Sequence, residues 1–167
     1  LRDKLAVESL IKEFKDSGQE PRLRGYCALA LGMIGDSSAK TAIGDVLGDE
    51  DENDRNLRVQ TAIAAGLMGD AGVIESLVNL LKTEESQYVL GSVALALGQI
   101  GDERAIQPLL EIAGDGVKKY PDLTRALATV ALGQIGDRRD VPVMARVAVD
   151  INYRAHVPAL AELLTIL

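Results

Sequence analysis

The sequence predicts an all-α superhelix of about five helical hairpins, and three observations lead to that fold class. The pentapeptide Gly-x-x-Gly-Asp occurs four times, and its Asp residues lie 34, 32 and 35 positions apart. The residues that flank the pentapeptide recur with the same period. The apolar residues are mainly Ala and Leu, with 3% aromatic residues and no Trp, which suits closely packed helices better than sheets.

The composition excludes several classes of function. The chain has 167 residues, enough for one domain with a sizeable core. Its net charge of −7 argues against a general affinity for nucleic acids, because their phosphates need basic patches. One cysteine excludes an internal disulfide, and no apolar run reaches the ~20 residues that a membrane span needs. No signal-peptide pattern is visible, which says little about a full-length protein. A cytoplasmic location is our expectation.

The four copies of the pentapeptide share their flanking residues. They occupy residues 32–36, 66–70, 98–102 and 133–137. Ala stands two positions before the first Gly of every copy, and Arg stands eight positions before it in three of them. A large apolar residue follows each Asp by seven positions. These recurrent residues are Ala30, Ala64, Ala96 and Ala131; Arg24, Arg58 and Arg125, with Leu90 in the third copy; and Ile43, Leu77, Leu109 and Met144.

Each part of the pentapeptide has a physical interpretation. The second Gly ends a helix, because a helix C-terminus favours a left-handed backbone conformation and glycine adopts it without a steric penalty. The Asp then caps the next helix by accepting hydrogen bonds from its free N–H groups. The first Gly lies inside the last helical turn, where it costs about 0.5–1 kcal/mol relative to Ala. Its recurrence predicts a close approach between the backbones of packed helices.

The same period sets the predicted domain organisation. We expect a single domain over residues 1–167, with repeats at about 22–48, 56–82, 88–113 and 122–148. A second helix at 3–15 precedes them and a terminal half repeat at 151–167 follows. Both ends therefore fall within a repeat, which indicates either a piece of a longer array or a pair of atypical caps. The apolar C-terminal residues favour the piece of a longer array.

At this point the residues resemble a known family. Residues 57–77, with Leu-Arg-Val at 57–59 and Ala-Ala-Gly-Leu-Met-Gly-Asp at 64–70, are similar to a HEAT repeat of the phycobilisome-lyase-like subclass. The sequence Ala-Leu-Gly-Gln-Ile-Gly-Asp at 96–102 and 131–137 is the most typical. The resemblance implies a HEAT-like solenoid. The family includes chromophore lyases, a diiron hydroxylase and many binding scaffolds, so it does not by itself decide the function.

The metal-binding branch of the family has iron ligands that can be looked for in this sequence. The deoxyhypusine hydroxylases of this class carry repeated His-Glu pairs that bind iron, whereas this chain has one histidine, His156, followed by Val157. That activity is therefore not carried over, and we expect no metal and no other cofactor. The bilin-lyase branch has no equally sharp signature to match.

An acidic run is the most conspicuous local feature. Residues 49–54 place Asp49, Asp51 and Asn53 like the first, third and fifth ligands of a calcium loop. An EF-hand then needs Gly sixth and Glu twelfth, and the chain has Asp54 and Gln60. A solvated loop between repeats is the favoured interpretation, with a weak cation site or a basic partner as the alternative.

The remaining polar residues have structural interpretations. The repeated Asp residues are explained as helix caps rather than as acid/base groups. The repeated Arg residues are expected to pair with acids of adjacent repeats. His156 has no triad-like context, and Cys27 is expected to be a small buried residue. The glycines near Gly114 lack the Lys of a phosphate loop.

A binding surface is expected on the second helix of each hairpin. By resemblance to HEAT arrays, these helices line the concave face. Solvent-facing positions there fall five and nine residues after each Asp. At packing distances of ~8–10 Å per helix the strip would span roughly 40 Å, the size of a peptide or a small domain. The candidate residues are Glu8, Lys12, Thr41, Asp45, Glu75, Asn79, Gln107, Glu111 and Arg146.

The leading functional hypothesis from the sequence is a non-catalytic scaffold that binds a protein or peptide on this strip. Its basis is that every recurrent residue has a structural explanation. The alternative is a bilin-lyase-like or other accessory subunit of an enzyme, which is implied by the family resemblance alone. A third possibility is that the chain only extends a longer array. The sequence does not indicate an oligomeric state.

Overall fold

The computed structural model describes residues 4–49, 51–114 and 119–138, and every regular element in these ranges is helical. Short 3-10 turns precede three of the helices, at Ser37–Ala39, Ala71–Val73 and Glu103–Ala105. The helices are α1 (Lys4–Lys15), α2 (Pro21–Ile34), α3 (Lys40–Leu47), α4 (Arg55–Met68), α5 (Ile74–Thr83), α6 (Gln87–Ile100), α7 (Ile106–Ala113) and α8 (Asp122–Arg138).

The helices form two layers that enclose a continuous core. The first helices of the hairpins, α2, α4 and α6, pack side by side, and the second helices α3 and α5 pack against α4 and α6. Helix α1 packs against α2 in the same way. Large side chains from both layers fill the space between them. Those less than 2% exposed include Leu31, Ile43, Leu57, Leu77, Leu97 and Leu109.

The Gly-Asp dipeptide makes the turn in the first three copies. Gly35, Gly69 and Gly101 adopt left-handed conformations, with φ of 63°, 63° and 77°. The N–H of each glycine donates to a carbonyl near the end of its helix, as a left-handed C-cap does. The following Asp accepts from the backbone N–H two residues on, and so caps a 3-10 turn that leads into the second helix.

The fourth copy departs from the prediction. Helix α8 continues through Gly136 and Asp137 to Arg138, so the expected helix end at Gly136 is wrong in this structure. Glycine adopts right-handed and left-handed helical conformations almost equally well, so the dipeptide alone does not fix the turn. In the first three copies a buried alanine or valine of the 3-10 turn anchors the reversal, namely Ala39, Val73 and Ala105.

The first Gly of the pentapeptide lies where two backbones meet, as predicted. A Cβ built on Gly32 would lie 2.7 Å from Cα of Ala64 in the next first helix. The corresponding distance is 2.9 Å from Gly66 to Ala96 and 2.7 Å from Gly98 to Ala131. Distances this short leave no room for a methyl group. The recurrent Gly and the recurrent Ala are therefore two halves of one contact.

The chain divides into two compact units, Leu1–Ile135 and Gly136–Leu167. The two helical layers and the core between them belong to the first unit. The predicted terminal half repeat at 151–167 and the second helix of the repeat at 122–148 lie outside the described residues. The repeat boundaries proposed from the sequence stay a prediction.

Candidate functional site

The candidate strip occupies exposed positions on the second helices. Glu8 and Lys12 lie on α1, and the pairs on α3, α5 and α7 take the same relative positions. Arg146 lies outside the described residues. The exposed members are Glu8, Lys12, Thr41, Asp45, Glu75, Asn79, Gln107 and Glu111. Whether this strip binds a partner stays a prediction.

Two surface ion pairs lie in or beside the strip. Nζ of Lys15 lies 2.9 Å from Oδ2 of Asp45, so α1 is linked to α3. Nζ of Lys40 lies 3.2 Å from Oδ1 of Asp70, the cap residue of the next hairpin. Both lysines are about half exposed, and such pairs contribute less than about 1 kcal/mol. The Lys15–Asp45 pair therefore restrains this part of the strip only weakly.

Arg104 connects the strip to the neighbouring hairpin. Its guanidinium donates to both carboxylate oxygens of Asp102 at 2.9 Å and to the carbonyl of Ala71 at 2.8 Å. Its Nη1 also lies 4.0 Å from Oε1 of Glu75, a member of the strip. The hydrogen bonds from the Arg104 side chain lower the pKa of Asp102 to about 2. The carboxylate therefore stays charged at any physiological pH.

A cavity of about 290 Å³ opens between the end of α3, the start of α4 and the end of α5. Asn79, one of the candidate residues, lines it. Sequence reasoning missed the rest of this site because its lining comes from three elements that no local pattern links. The lining residues are Leu47, Gly48, Asp49, Arg58, Asn79, Leu80 and Thr83.

Arg58 in the cavity belongs to a row of part-buried ion pairs. Its Nη1 lies 2.8 Å from Oε2 of Glu84, and Arg24 pairs with Glu52 at the same distance. These glutamates lie in the segments that lead to the next repeat, as expected for the arginine row. Burial alone would raise the pKa of Glu84, but hydrogen bonds from Ser86 N–H and the Arg58 guanidinium lower it. The pairs thus hold successive repeats together.

Arg125 differs from the other two arginines of the row. Its Nη1 lies 3.4 Å from Oδ1 of Asp122, three residues before it on the same helix. Its Nε is buried and makes no hydrogen bond. The third copy has no arginine at this position, and Leu90 is only 2% exposed there. The ion-pair row is therefore restricted to the first two repeats among the described residues.

The acidic run forms turns and caps rather than a calcium loop. Glu52 accepts from Arg24, and Asp54 caps α4 by accepting from the N–H of Leu57 at 2.8 Å. Asp49 accepts from the N–H of Asp51, which closes a local turn. Within the ranges that the structure describes, no group of three or more His, Cys, Asp or Glu side chains is placed to hold a metal ion.

Cys27 is not an activated nucleophile. The side chain is buried in α2, and burial, together with the nearby Glu13 carboxylate, raises the pKa of its thiol. The thiolate is the reactive form, so the raised pKa keeps the group inert near neutral pH. His156 lies outside the described residues.

The family comparisons agree with this architecture. Residues 51–127 match the family of HEAT repeats, and residues 23–49 match the PBS lyase HEAT-like repeat. The chain is therefore a HEAT repeat protein with a repeat of the PBS lyase HEAT-like type. The fold class predicted from the sequence is confirmed.

Two curated relatives are similar to most of the chain. Over 119 residues it is 32% identical to the bilin biosynthesis protein PecE of Nostoc sp. (strain PCC 7120) and 30% identical to PecE of Mastigocladus laminosus. These matches cover 68% of this chain but 47% and 44% of the relatives, so the chain spans about half of their length.

A solved structure has the same fold. It is the complex of CpcE and CpcF of phycocyanin lyase from Nostoc sp. PCC7120, with a TM-score of 0.65 and 27% identity. The likeness covers 78% of this chain and 53% of the solved chain. That solved structure is a complex of two proteins.

These relatives correct the functional prediction. The non-catalytic scaffold, which was the leading hypothesis from the sequence, is wrong, because the relatives are named for bilin biosynthesis and for phycocyanin lyase. The alternative of a bilin-lyase-like accessory subunit is the better supported. Among the described helices, none is long and apolar enough to cross a membrane.

Proposed function

We propose that this chain is part of an accessory subunit of a bilin lyase. The proposal rests on one observation. Most of this chain is similar to two PecE proteins and to a chain of a phycocyanin lyase complex. The substrates would be a bilin and a protein that accepts it. The cytoplasmic location expected from the sequence stays part of the proposal.

The chemistry of the described residues supports an accessory role rather than a catalytic one. Covalent attachment needs a nucleophile or a positioned acid and base. The thiol of Cys27 is buried with a raised pKa, and the recurrent Asp residues are engaged as caps. The described part of the chain thus supplies surfaces and a cavity, and the reactive groups would come from its partners.

The strip on the second helices is the proposed partner surface. Its acidic members Glu75 and Glu111 are exposed on α5 and α7. The adjoining cavity places the Arg58 guanidinium and the Asn79 amide beside it. An acidic strip would steer a partner with basic groups, which affects the rate of association more than the final affinity.

The test is reconstitution of chromophore attachment. The purified chain is mixed with a bilin and an apo-phycobiliprotein, alone and together with purified CpcF, and the product is analysed for a covalent coloured adduct under denaturing conditions. We expect the adduct to form when the second subunit is present. If neither mixture yields an adduct, the proposed function is wrong.

Charge reversal tests the surface within the same assay. We expect Glu75→Lys combined with Glu111→Lys to slow adduct formation by about 3- to 10-fold, because steering depends on these charges. Glu85→Lys is the matched control, since Glu85 is exposed in the loop before α6 and lies outside the strip. Equal rates for both variants would remove the strip from the proposal.

A further inference from the structure

The cavity beside Arg58 lies at an interface between repeats that has a counterpart earlier in the chain. The cavity opens where the ends of α3 and α5 meet, and the counterpart is the place where the ends of α1 and α3 meet. All of the lining residues lie between positions 47 and 83, in the interior of the array. The two interfaces can therefore be compared residue by residue.

In the earlier interface a lysine side chain links the two helices. Nζ of Lys15, at the end of α1, lies 2.9 Å from Oδ2 of Asp45 on α3. Gly48 takes the position of Lys15, because each stands 12 residues after the Asp that precedes its second helix. Asn79 takes the position of Asp45 by the same count, at 9 residues. Gly48 and Asn79 both line the cavity, so the cavity lies where the earlier interface holds a basic side chain.

Two further differences leave this space open. Helix α3 has 8 residues and α5 has 10, although both begin four residues after their Asp, so α3 ends before the last turn of α5. In the earlier interface, Nε of Arg24 donates to the carbonyl of Phe14 at 3.0 Å. The smaller Leu47 takes the position of Phe14. Among the described residues, the Arg58 side chain donates a hydrogen bond to Glu84 alone, so it does not close the gap as Arg24 does.

The charges of the lining favour a cation. Oδ1 of Asp49 accepts a hydrogen bond from the N–H of Asp51 at 3.0 Å, and no donor of the described residues reaches Oδ2. The last turn of α3 contains no basic residue, and the C-terminus of a helix attracts positive charge. Arg58 is the one basic residue of the lining, and the Glu84 carboxylate at 2.8 Å compensates its charge. The lining therefore has a negative charge without a counterion.

We propose that this cavity accepts a lysine side chain of a partner protein. The ammonium group lies between the side-chain carbonyl of Asn79 and the carboxylate of Asp49. The aliphatic stem lies against Leu47 and Leu80, the two buried apolar residues of the lining. A volume of about 290 Å³ is at the lower end of the ~300–1,000 Å³ of ligand pockets, which suits one side chain. The assignment to a partner protein rests on the accessory role proposed above, whereas the lysine site does not.

The first experiment measures the binding of a lysine analogue by NMR. The probe is lysine blocked at both ends, Nα-acetyl-lysine N-methylamide, and its binding to the isotope-labelled chain is followed at the side-chain amide of Asn79. We expect saturable shifts with a Kd of about 1–10 mM, as for a small and weak ligand. The norleucine analogue has the stem without the charge, and ammonium chloride has the charge without the stem. Each should bind about 5-fold more weakly or less, and equal binding of either one overturns the lysine site.

Two substitutions at Gly48 give matched variants. Gly48 has a φ of −87°, which any residue adopts, and a Cβ there meets its nearest neighbouring atom at 3.4 Å. Gly48→Lys supplies the lysine of the earlier interface and should abolish binding of the probe, whereas Gly48→Ala should keep it. Asn79→Asp restores the acid of that interface and should tighten binding about 3- to 5-fold. A Gly48→Lys variant that binds the probe as Gly48→Ala does overturns the proposal.

Purified CpcF tests whether the lysine comes from a protein. We expect Gly48→Lys to weaken the binding of CpcF by about 3-fold or more relative to Gly48→Ala, as measured by titration calorimetry without bilin. Equal binding by the two variants, or no binding by the parent chain, overturns the assignment to a partner protein. Because no bilin is present, these outcomes are distinct from a failure to form the coloured adduct.

Discussion

At the scale of single residues, the first Gly of the pentapeptide has the clearest effect on packing, because it has no side chain to separate two helices. Glycine in a helix costs about 0.5–1 kcal/mol relative to alanine. The close approach of Gly32, Gly66 and Gly98 to the backbone of the next helix offsets that cost through closer packing. The sequence predicted this contact. A glycine that destabilises its helix and yet recurs in every copy of the pentapeptide needs a structural reason.

Substitution of these glycines by alanine should have opposite effects at two positions. Gly66→Ala places a methyl group 2.9 Å from Cα of Ala96, so we expect a loss of about 1–3 kcal/mol in the free energy of unfolding. Gly133→Ala meets nothing within 4 Å and should gain up to about 1 kcal/mol. Urea denaturation followed by circular dichroism measures both. A loss at Gly133 equal to that at Gly66 would contradict the close-contact explanation.

Asp102 is expected to contribute a specific pH dependence. Its pKa is about 2 in the folded chain, against the ordinary 3.8, because Arg104 hydrogen-bonds to the charged form. A lowered pKa stabilises the fold above pH 3.8, and that contribution is lost as the pH falls from 3.8 towards 2. Asp102→Asn should cost about 0.5–1 kcal/mol at pH 7 and remove this part of the acid sensitivity.

The measurement is the free energy of unfolding of both chains at several pH values between neutral and 2. Asn also serves as a helix cap, so the substitution separates the charge from the cap. The difference between the two chains should shrink as the pH falls. A difference that stays constant would mean that the charge of Asp102 does not stabilise the fold.

At the scale of elements, the helix ends were predicted well where packing agrees with the local signal. In the first three copies the Gly stops a helix, the Asp caps the next turn, and a buried residue of the turn anchors it. At Gly136 the same dipeptide stays helical. A local motif determines which backbone conformations have a low free energy, and tertiary contacts determine which of them the chain adopts.

The ion pairs that join successive repeats should behave as coupled pairs. Arg58→Leu leaves Glu84 with a charge that is only 12% exposed and without its partner, so we expect a loss of about 2–4 kcal/mol. The double variant Arg58→Leu with Glu84→Leu should recover part of that loss, since Leu90 already fills the same position in the next repeat. Thermal and urea denaturation of the single and double variants give the coupling free energy.

The control for this pair is Lys15→Leu, which breaks a surface ion pair with Asp45. Because both side chains of that pair are half exposed, its loss should cost less than about 1 kcal/mol. If Arg58→Leu costs no more than the control, the buried pair does not hold the repeats together.

At the scale of the whole molecule, the sequence predicted the fold class and left most of the site undetermined. The period of the pentapeptide fixes the hairpins because each copy repeats the same stop, cap and packing residues. The cavity beside Arg58 depends on Gly48 and Thr83, which lie on other elements and are not part of the repeated pattern. The scaffold hypothesis failed for the same reason, since the repeated residues describe the framework and carry little information about the ligand.

The Gly–Ala contacts also have a mechanical consequence. Because backbone meets backbone at these points, the distance between neighbouring first helices does not depend on the flexibility of side chains. Each contact therefore fixes the arrangement of two neighbouring first helices. A small widening at one contact would rotate every later helix of the stack, and the displacement would grow with distance from that contact. The position of α7 relative to α1 is therefore set by two alanines that lie on neither helix, Ala64 and Ala96.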